Sequence, residues 1–396
     1  MSINSGLRDK TINLANANDK IKVLWISPIH SHYKARFLER LHNRGQIQLT
    51  VLSGRMQKEK GFSEAQEQFS YPIERVDVVS IKFGMSLLVA KKILNLCSKN
   101  SFDFIMIPAD RKRLPLLLLL YLCRPFLGYK LFSYNHAWCG SRIDGRIVGT
   151  FNRFLSYLMY AMLDRVVFYT SHERDIALEM KLIKHEKAFY VNNTLDTDEI
   201  WGVCPSRPEV VMPPAMLFIG RLVPGKQILL ALQYYKVIKK TIPEFRFIII
   251  GDGPDATQVK QVAKEDPDII WTGMLSQEQQ ISTWMRQVRF VFNPGNVGLV
   301  VVHAFSYGKP LVALREKLGQ SDKESLHGPE FWYLRPGENG LLLDGDDIQE
   351  DCRQIVYLLT DEDIYQTMVL NARKTAIEIS VGRWMEQMTH SLTAKL

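Results

Sequence analysis

The hydrophobic positions of the chain form short apolar runs that alternate with segments of helical periodicity. In the first half, the runs that predict strands are residues 21–27, 48–53, 102–107, 130–135, 165–170 and 188–192. In the second half they are residues 216–220, 245–251, 268–272, 290–293 and 310–314. Residues 33–43, between the first two runs, predict a helix. This alternation is typical of parallel sheets covered by helices.

A proline-rich segment separates the two series of strands. Residues 204–214 contain four prolines, and proline lacks the amide hydrogen that helix and sheet interiors need. The sequence therefore predicts two doubly wound α/β domains, residues 1–205 and 206–382, with residues 1–20 as a loose polar leader. A C-terminal helix at about residues 383–396 is a candidate to pack back on the first domain.

Charge is distributed unevenly between the two halves. Residues 1–205 hold 29 Lys plus Arg against 19 Asp plus Glu, or +10, whereas residues 206–396 hold 21 against 23, or −2. A basic first half favours an anionic partner, and lipid, nucleic acid and an anionic substrate all meet that condition. No nucleic-acid recognition motif accompanies the charge, so nucleic-acid binding is kept as an alternative only and nucleic acid is not an expected partner.

The compartment is predicted from cysteine usage and apolar content. The five cysteines have no spacing typical of a disulfide framework or a zinc site, and the polar N-terminus lacks the apolar region of a secretory signal, so the cytoplasm is expected. The longest apolar run, residues 114–123, follows three basic residues and is about half of the roughly twenty residues that cross a bilayer. It predicts either a helix buried against a sheet or a segment that rests on a membrane surface.

The first chemical motif is the loop GRLVPGK at residues 220–226, directly after a predicted strand. Arg221 and Lys226 leave the carboxyl end of that strand within one loop, and ligands of such sheets bind beyond those ends. Two converging cations would stabilise a leaving diphosphate, on which negative charge builds up. The alternative is an ordinary strand-to-helix turn with solvated charges.

Two further motifs follow strands of the same series. The turn GDGP at residues 251–254 lets the backbone approach a ligand, although such a turn is weak evidence alone. The segment NPGNVGLVVVHA at residues 293–304 predicts a helix that begins near Gly298 or Leu299, whose unpaired amides would bind an anion. His303, about one turn further in, could contact a ribose hydroxyl or phosphate, or could be a core residue.

In order and spacing, these motifs resemble the nucleotide-binding domain of the retaining glycosyltransferases of family 4, which have the GT-B fold. The resemblance covers most of residues 215–345 and includes the Thr272-Gly273 turn and YGKP at residues 307–310, and it continues more weakly through HGPE at residues 327–330 and Asn339-Gly340. In the first half it depends on Asn135-His136 and on residues 192–196. It implies two Rossmann-like domains that face each other across a cleft.

The resemblance also implies roles for individual residues. Arg221 and Lys226 would grip the donor diphosphate and stabilise its departure, and His136 would lie beside the transferred sugar. The other donor-binding candidates are Gly220, Asp252, Gly253, Pro254, Gly273, Met274, Asn296, Val297, Gly298, Leu299, Val300 and His303. Among these, Gly273 and Met274 match the turn for the base, and Gly298 to Val300 match the helix start for the phosphates.

The sequence departs from the family at one important place. Most of the family has two glutamates separated by seven residues, the first near the sugar and the second on the ribose. Gly295 and His303 occupy these positions here, which indicates a variant subgroup and leaves Asn296 as a candidate sugar contact by proximity only. No metal or cofactor is expected, because Arg221 and Lys226 supply the positive charge; Asp344, Asp346 and Asp347 are interpreted as a loop before a helix cap.

These observations predict a retaining, metal-independent glycosyltransferase that moves a sugar from a UDP- or GDP-sugar to a glycan or lipid-linked acceptor in cell-surface polysaccharide synthesis. The acceptor is expected to contact His30, Ser31, His32 and Tyr33 in the first domain. The basic first domain predicts peripheral contact with anionic lipid at the inner membrane face. The alternatives are a non-catalytic nucleotide-sugar binding protein and a GT-B nucleotide-sugar epimerase.

Overall fold

The computed structural model describes residues 20–30, 32–55, 68–79, 82–136, 146–203, 214–316 and 327–394. Along these residues strands alternate with helices, and the strands form two parallel sheets. Residues 1–19 of the predicted leader lie outside the described residues, and so does nearly all of the proline-rich segment. The domain boundary at residue 205 is among them and stays a prediction.

The first sheet has seven strands in the order β3-β2-β1-β4-β5-β6-β7. The strands are β1 (Ile21–Ser27), β2 (Ile47–Arg55), β3 (Ile73–Val79), β4 (Phe104–Met106), β5 (Lys130–Tyr134), β6 (Arg165–Phe168) and β7 (Ala188–Tyr190). The accompanying helices are α1 (His32–Asn43), α2 (Leu87–Lys99), α3 (Leu114–Leu127), α4 (Arg146–Ala161), α5 (Ser171–Glu179) and α6 (Thr197–Val203). Strands such as β1 are buried on both faces, which is why they were recognisable as continuous apolar runs.

The second sheet has six strands in the order β10-β9-β8-β11-β12-β13. They are β8 (Ala215–Ile219), β9 (Arg246–Ile250), β10 (Ile269–Gly273), β11 (Phe290–Asn293), β12 (Leu311–Leu314) and β13 (Gly340–Leu343). The helices are α7 (Ile228–Thr241), α8 (Ala256–Glu265), α9 (Glu278–Met285), α10 (Val300–Ser306), α11 (Ile348–Thr360), α12 (Glu362–Glu378) and α13 (Val381–Thr393). Phe218, Phe247, Phe290 and Phe292 are fully buried in its core.

The order of the second sheet places a switch point beside β8. The chain adds β9 and β10 on one side of β8 and then returns to add β11 on the other side. The loops after β8 and β11 therefore leave the sheet in opposite directions, and the crevice between them is where ligands bind in open parallel sheets. The first and third sequence motifs are these two loops.

The sequence missed two strands, β3 and β13. Strand β3 is an edge strand whose residues alternate between half-buried and exposed, and its sequence IERVDVV contains three charged residues. Strand β13 is also an edge strand and has only four residues. Edge strands bury less surface than central strands, so their sequences carry a weaker hydrophobic signal.

Helix α3 has a buried side and an exposed side, so the burial of the longest apolar run is partial and its membrane contact stays a prediction. It buries Leu116, Leu117 and Leu120, while Leu122 and Phe126 are 59% and 87% exposed. No helix among the described residues is long and apolar enough to span a membrane.

The C-terminal helix α13 packs on the last strands of the first sheet. The indole N–H of Trp384 donates to the Tyr134 hydroxyl at 2.8 Å, and the backbone N–H of Asn192 donates to Gln387 at 3.0 Å. Residues 107–121 and 131–396 form one compact unit, which contains β5 from Leu131 onward, β6, β7 and the whole second sheet. Strands β1–β4 belong to a second unit, residues 1–106 and 122–130.

Candidate functional site

Three loops lie side by side at the carboxyl ends of β8, β9 and β11. The backbone N–H of Leu222 donates to the carbonyl of Asp252 at 2.9 Å, which joins the first loop to the second. The backbone N–H of Asn296 donates to the carbonyl of Gly225 at 2.8 Å, which joins the third loop to the first. The three sequence motifs thus form one continuous surface, with residues 220–226 in the middle.

Glycines allow the loops after β8 and β9 to approach this closely. Gly251 and Gly253 have φ values of 150° and 152°, in the region that favours glycine. A Cβ atom at Gly251 would lie 1.9 Å from the carbonyl oxygen of Gly220, and one at Gly253 would lie 2.4 Å from that of Leu222. The glycines of the GDGP motif are therefore required for the packing of these loops, whether or not the motif also contacts a ligand.

Gly295 has the same role on the other side of the central loop. A Cβ atom there would lie 2.4 Å from the Gly225 carbonyl oxygen and 2.8 Å from Cα of Lys226. These are backbone atoms, so no side-chain rotation relieves the overlap. The departure from the family's first glutamate thus has a physical reason, because this loop arrangement leaves no room for any side chain at residue 295.

Lys226 is the central charged group of the surface. Its ammonium donates a hydrogen bond to the carbonyl of Asn296 and lies 3.5 Å from Oδ1 of the same residue. Burial and the nearby Arg221 guanidinium lower the pKa of Lys226 to about 8, against the attraction of Glu330. Lys226 is partly buried and Arg221 is exposed, and an anion bound next to both would stabilise the charge of the Lys226 ammonium.

The segment 327–331 covers the loop after β11 and was only weakly indicated by the sequence. The backbone N–H of Val297 donates to Nδ1 of His327 at 3.0 Å, and the N–H of Gly328 donates to the carbonyl of Val297 at 2.6 Å. Nε2 of His327 donates to the carbonyl of Leu314 at 2.9 Å. Burial lowers the pKa of His327, which agrees with a neutral ring that accepts on one nitrogen and donates on the other.

Glu330 is the functional candidate that the sequence analysis did not select. It is 5% exposed, and its Oε1 accepts a hydrogen bond from the side-chain amide of Asn193, which follows β7. Its Oε2 lies 4.0 Å from the place where a Cβ at Gly298 would be. The HGPE motif was visible in the sequence, but nothing in it showed which loops its glutamate would contact.

His303 is held by a second carboxylate that the sequence analysis missed. Nε2 of His303 lies 2.8 Å from Oε1 of Glu278, and the Tyr307 hydroxyl donates to the same oxygen at 2.6 Å. Burial raises the pKa of Glu278, but the hydrogen bonds from His303 and Tyr307 outweigh it and leave the pKa below its ordinary value. A carboxylate therefore lies next to the position of the family's second glutamate, carried by α9 instead of α10.

The helix after β11 begins close to its predicted start. Helix α10 runs over seven residues from Val300, and the N–H of Val301 donates to the carbonyl of Gly298 at 3.2 Å. Gly273, with φ of 72°, ends β10, and the next side chain, Met274, is 76% exposed. The phosphate role of residues 298–300 and the base-binding role of Gly273 and Met274 stay predictions.

The first-domain candidates have different surroundings. His136 is exposed, with Nδ1 3.4 Å from Glu173 and its ring against Tyr169. His30 is buried, and its Nε2 lies 3.1 Å from the Tyr71 hydroxyl. Ser31 and the side chains of His32 and Tyr33 lie outside the described residues. The acceptor role of these residues stays a prediction.

Asp347, the last of the acidic residues in 344–347, is a helix cap. Its side chain accepts from the backbone N–H groups of Gln349 and Glu350 in the first turn of α11, and Asp344 pairs with Arg315. Among the residues that the structure describes, no group of three or more His, Cys, Asp and Glu side chains could hold a metal ion.

Comparison with known proteins finds a similarity in the second half of the chain. Residues 213–361 match the family model described as glycosyl transferases group 1, which covers less than half of the chain. An exopolysaccharide phosphotransferase of Streptomyces coelicolor is 25% identical over 194 residues, which are 47% of this chain and 19% of that protein. An uncharacterized glycosyltransferase of Haemophilus influenzae is 20% identical over 246 residues, which are 61% of this chain and 64% of that protein. The chain therefore spans less than two thirds of either relative.

Solved structures show the fold of the whole chain. HepE of Anabaena in complex with UDP matches with a TM-score of 0.66 at 16% identity, over 95% of this chain and 100% of that chain. The same protein has been solved with UDP-glucose. These neighbours have the GT-B architecture, and the predicted pair of Rossmann-like domains is confirmed.

Proposed function

We propose, from the match of residues 213–361 to group 1 glycosyltransferases, that this protein transfers a sugar from a nucleoside diphosphate sugar to a glycan or lipid-linked acceptor. The observation that carries the proposal is the joining of three loops at the switch point around Arg221 and Lys226, where a pyrophosphate would relieve the repulsion between the two cations. HepE binds UDP and UDP-glucose, which makes a UDP-sugar the first donor to test.

The proposed chemistry is retaining transfer on the front face of the sugar. The bond between the anomeric carbon and the β-phosphate oxygen breaks, and the acceptor oxygen forms its bond to that carbon on the same side. The acceptor proton passes to an oxygen of the departing phosphate. Arg221 and Lys226 stabilise the charge that develops on the diphosphate, so the protein needs no metal for this step.

The nucleoside would lie between β10 and α10. The turn at Gly273 and Met274 offers an exposed surface for the base, and the paired His303 and Glu278 offer hydrogen-bonding groups for the ribose. His136 would lie beside the transferred sugar. This arrangement uses the predicted donor-binding residues and adds Glu278.

A thermal-shift screen tests the proposal. UDP, GDP, UDP-glucose, UDP-galactose, UDP-N-acetylglucosamine and GDP-mannose are added separately, and at least one diphosphate and its sugar should raise the melting temperature, because a ligand of the folded state stabilises it by mass action. Sugar transfer to purified membrane glycolipid is then measured with the best donor. No shift with any nucleotide would reject the proposal, and binding without transfer would favour a non-catalytic protein.

The pH dependence of donor use should follow the ionisation of Lys226. The ammonium carries its charge below a pKa of about 8 and loses it above, so kcat/KM for the donor should fall as the pH rises through about 8. In Lys226→Arg this step should disappear, since a guanidinium stays charged. The measurement is kcat/KM at limiting donor over about pH 6.5 to 9.5. An alkaline step of equal size in Lys226→Arg would assign it to another group.

We also propose peripheral contact with anionic membrane in polysaccharide synthesis, at the inner face, through α3. Its exposed Leu122 and Phe126 lie one turn apart, and Arg111 and Lys112 precede the helix. Leu122→Ser with Phe126→Ser should lower the fraction that floats with phosphatidylglycerol vesicles by about tenfold or more, because each buried apolar side chain contributes about 1.5–3 kcal/mol.

Leu370→Ser on α12 is the matched control, since Leu370 is 64% exposed and lies in the nearly neutral half. It should float like the unmodified protein. Equal flotation with neutral phosphatidylcholine vesicles, or no loss in the double variant, would contradict membrane contact through this helix.

A further inference from the structure

Glu330 lies in a short turn that is anchored at both ends. This 3-10 turn, Pro329–Tyr333, begins where residues 327 and 328 bond both backbone groups of Val297. At the other end, the Tyr333 hydroxyl donates to the carbonyls of Asn193 at 3.0 Å and Tyr169 at 3.3 Å. The turn therefore places Glu330 between the loop after β11 and the segment after β7.

One oxygen of this carboxylate is available for a ligand. Oε1 accepts from the Asn193 amide, whereas Oε2 has no hydrogen-bond partner among the described residues. Lys226 attracts the carboxylate, but its ammonium donates to Asn296 instead. Oε2 is not among the fully buried side-chain atoms without a partner, so it is accessible, and a hydroxyl that donates to it would form a charge-assisted hydrogen bond.

The space beside Oε2 is open because two neighbouring residues are glycines. A Cβ added to Gly298 would meet only Glu330, at 4.0 Å, whereas one added to Gly328 would lie 2.7 Å from Oε2. Gly328 thus allows the carboxylate to reach its position, and Gly298 leaves room next to it. This opening lies on the loop that follows Asn296, within the proposed donor site.

The charge of the group restricts what it can bind. A phosphate oxygen would be repelled by Glu330, whereas a neutral hydroxyl donates a hydrogen bond to a carboxylate that is stronger than one between neutral groups. The donor offers such hydroxyls only on its two sugars. The ribose side is already next to Glu278 and His303, on a different helix from the segment that carries Glu330.

We infer that Glu330, oriented by Asn193, accepts hydrogen bonds from hydroxyls of the transferred sugar, and so supplies from the turn 329–333 the carboxylate for which residue 295 has no room. The inference depends on the proposed function. The inference assigns the specificity for the sugar to Asn193, which follows β7, and to Glu330 in the turn 329–333. Neither residue belongs to the helix after β11.

The test compares the sugar-dependent part of donor binding in Glu330→Gln and in the unmodified protein. Dissociation constants are measured by calorimetry for UDP and UDP-glucose, and for the pair GDP and GDP-mannose. In Glu330→Gln, the diphosphate should bind as before, while the tighter binding of its sugar should fall by about tenfold to a hundredfold, as for loss of a charged hydrogen-bond partner. A 3-deoxy or 4-deoxy sugar donor should show the same loss in the unmodified protein and no further loss in the variant.

Two more variants separate this role from a structural one. Glu330→Asp keeps the charge and withdraws it by one methylene, so it should fold normally and lose part of the sugar-dependent binding. Glu338→Gln, on the exposed surface nearby, should change neither value. Equal sugar-dependent binding in Glu330→Gln and the unmodified protein would overturn the inference, and so would loss of UDP binding along with it. If the unmodified protein binds no nucleotide sugar more tightly than its diphosphate, the inference fails; if it binds neither, the proposed function itself fails.

Discussion

Alanine in place of Arg221 or Lys226 will lower turnover by about a hundredfold or more, as expected when a preorganised group that stabilises transition-state charge is removed. Both side chains lie in the loop after β8, and Lys226 is held by the carbonyl of Asn296 in the adjacent loop. In the proposed mechanism, their positive charge stabilises the departing diphosphate. The measurement is steady-state kcat and KM for the donor, together with the thermal shift on adding UDP.

The controls for these variants address folding and general charge. Burial of the Lys226 ammonium already disfavours its charge, so Lys226→Ala should fold with a melting temperature close to that of the unmodified protein. Lys236→Ala removes an exposed cation from α7, the helix after this loop, and should keep full activity. Full activity in both Arg221→Ala and Lys226→Ala would show that other groups stabilise the charge of the departing diphosphate.

Placing at residue 295 the glutamate expected from the resemblance to family 4 will abolish donor binding instead of improving catalysis. A Cβ at this residue would lie 2.4 Å from the Gly225 carbonyl oxygen, so even Gly295→Ala must push the two loops apart. Overpacking of this kind costs about 1–3 kcal/mol. Gly295→Glu adds a longer, charged side chain to the same overlap, and it should lose the thermal shift with UDP altogether.

The matched control is Gly298→Ala, three residues further along the same loop. Its added methyl would meet nothing closer than 4.0 Å, so the unliganded melting temperature should stay unchanged. The unliganded melting temperature of Gly295→Ala should fall clearly below that of Gly298→Ala. Equal stability of the two alanine variants would show that the loops after β8 and β11 are not packed as tightly as described.

The relation between sequence and site differs for the cations and the carboxylates. Arg221 and Lys226 are five residues apart in one loop, so a single strand-loop-helix pattern placed them together. Glu330 and Asn193 are 137 residues apart, and Glu278 and His303 are 25 apart. The first pair joins the segment after β7 of the first sheet to the turn before β13 of the second, and the other pair joins α9 to α10, so no local pattern records either contact.

The sequence by itself determined the two series of strands, the position of the three loop motifs after them and the cations of the central loop. Central parallel strands are buried on both faces and therefore leave continuous apolar runs. The sequence could also show that residue 295 lacks a carboxylate. Only the tertiary structure decided why, through the contact of Gly295 with the backbone of residues 225 and 226, and which carboxylates lie nearby. Close packing between loops depends on the distances between backbone atoms, and these are set by the assembled sheet.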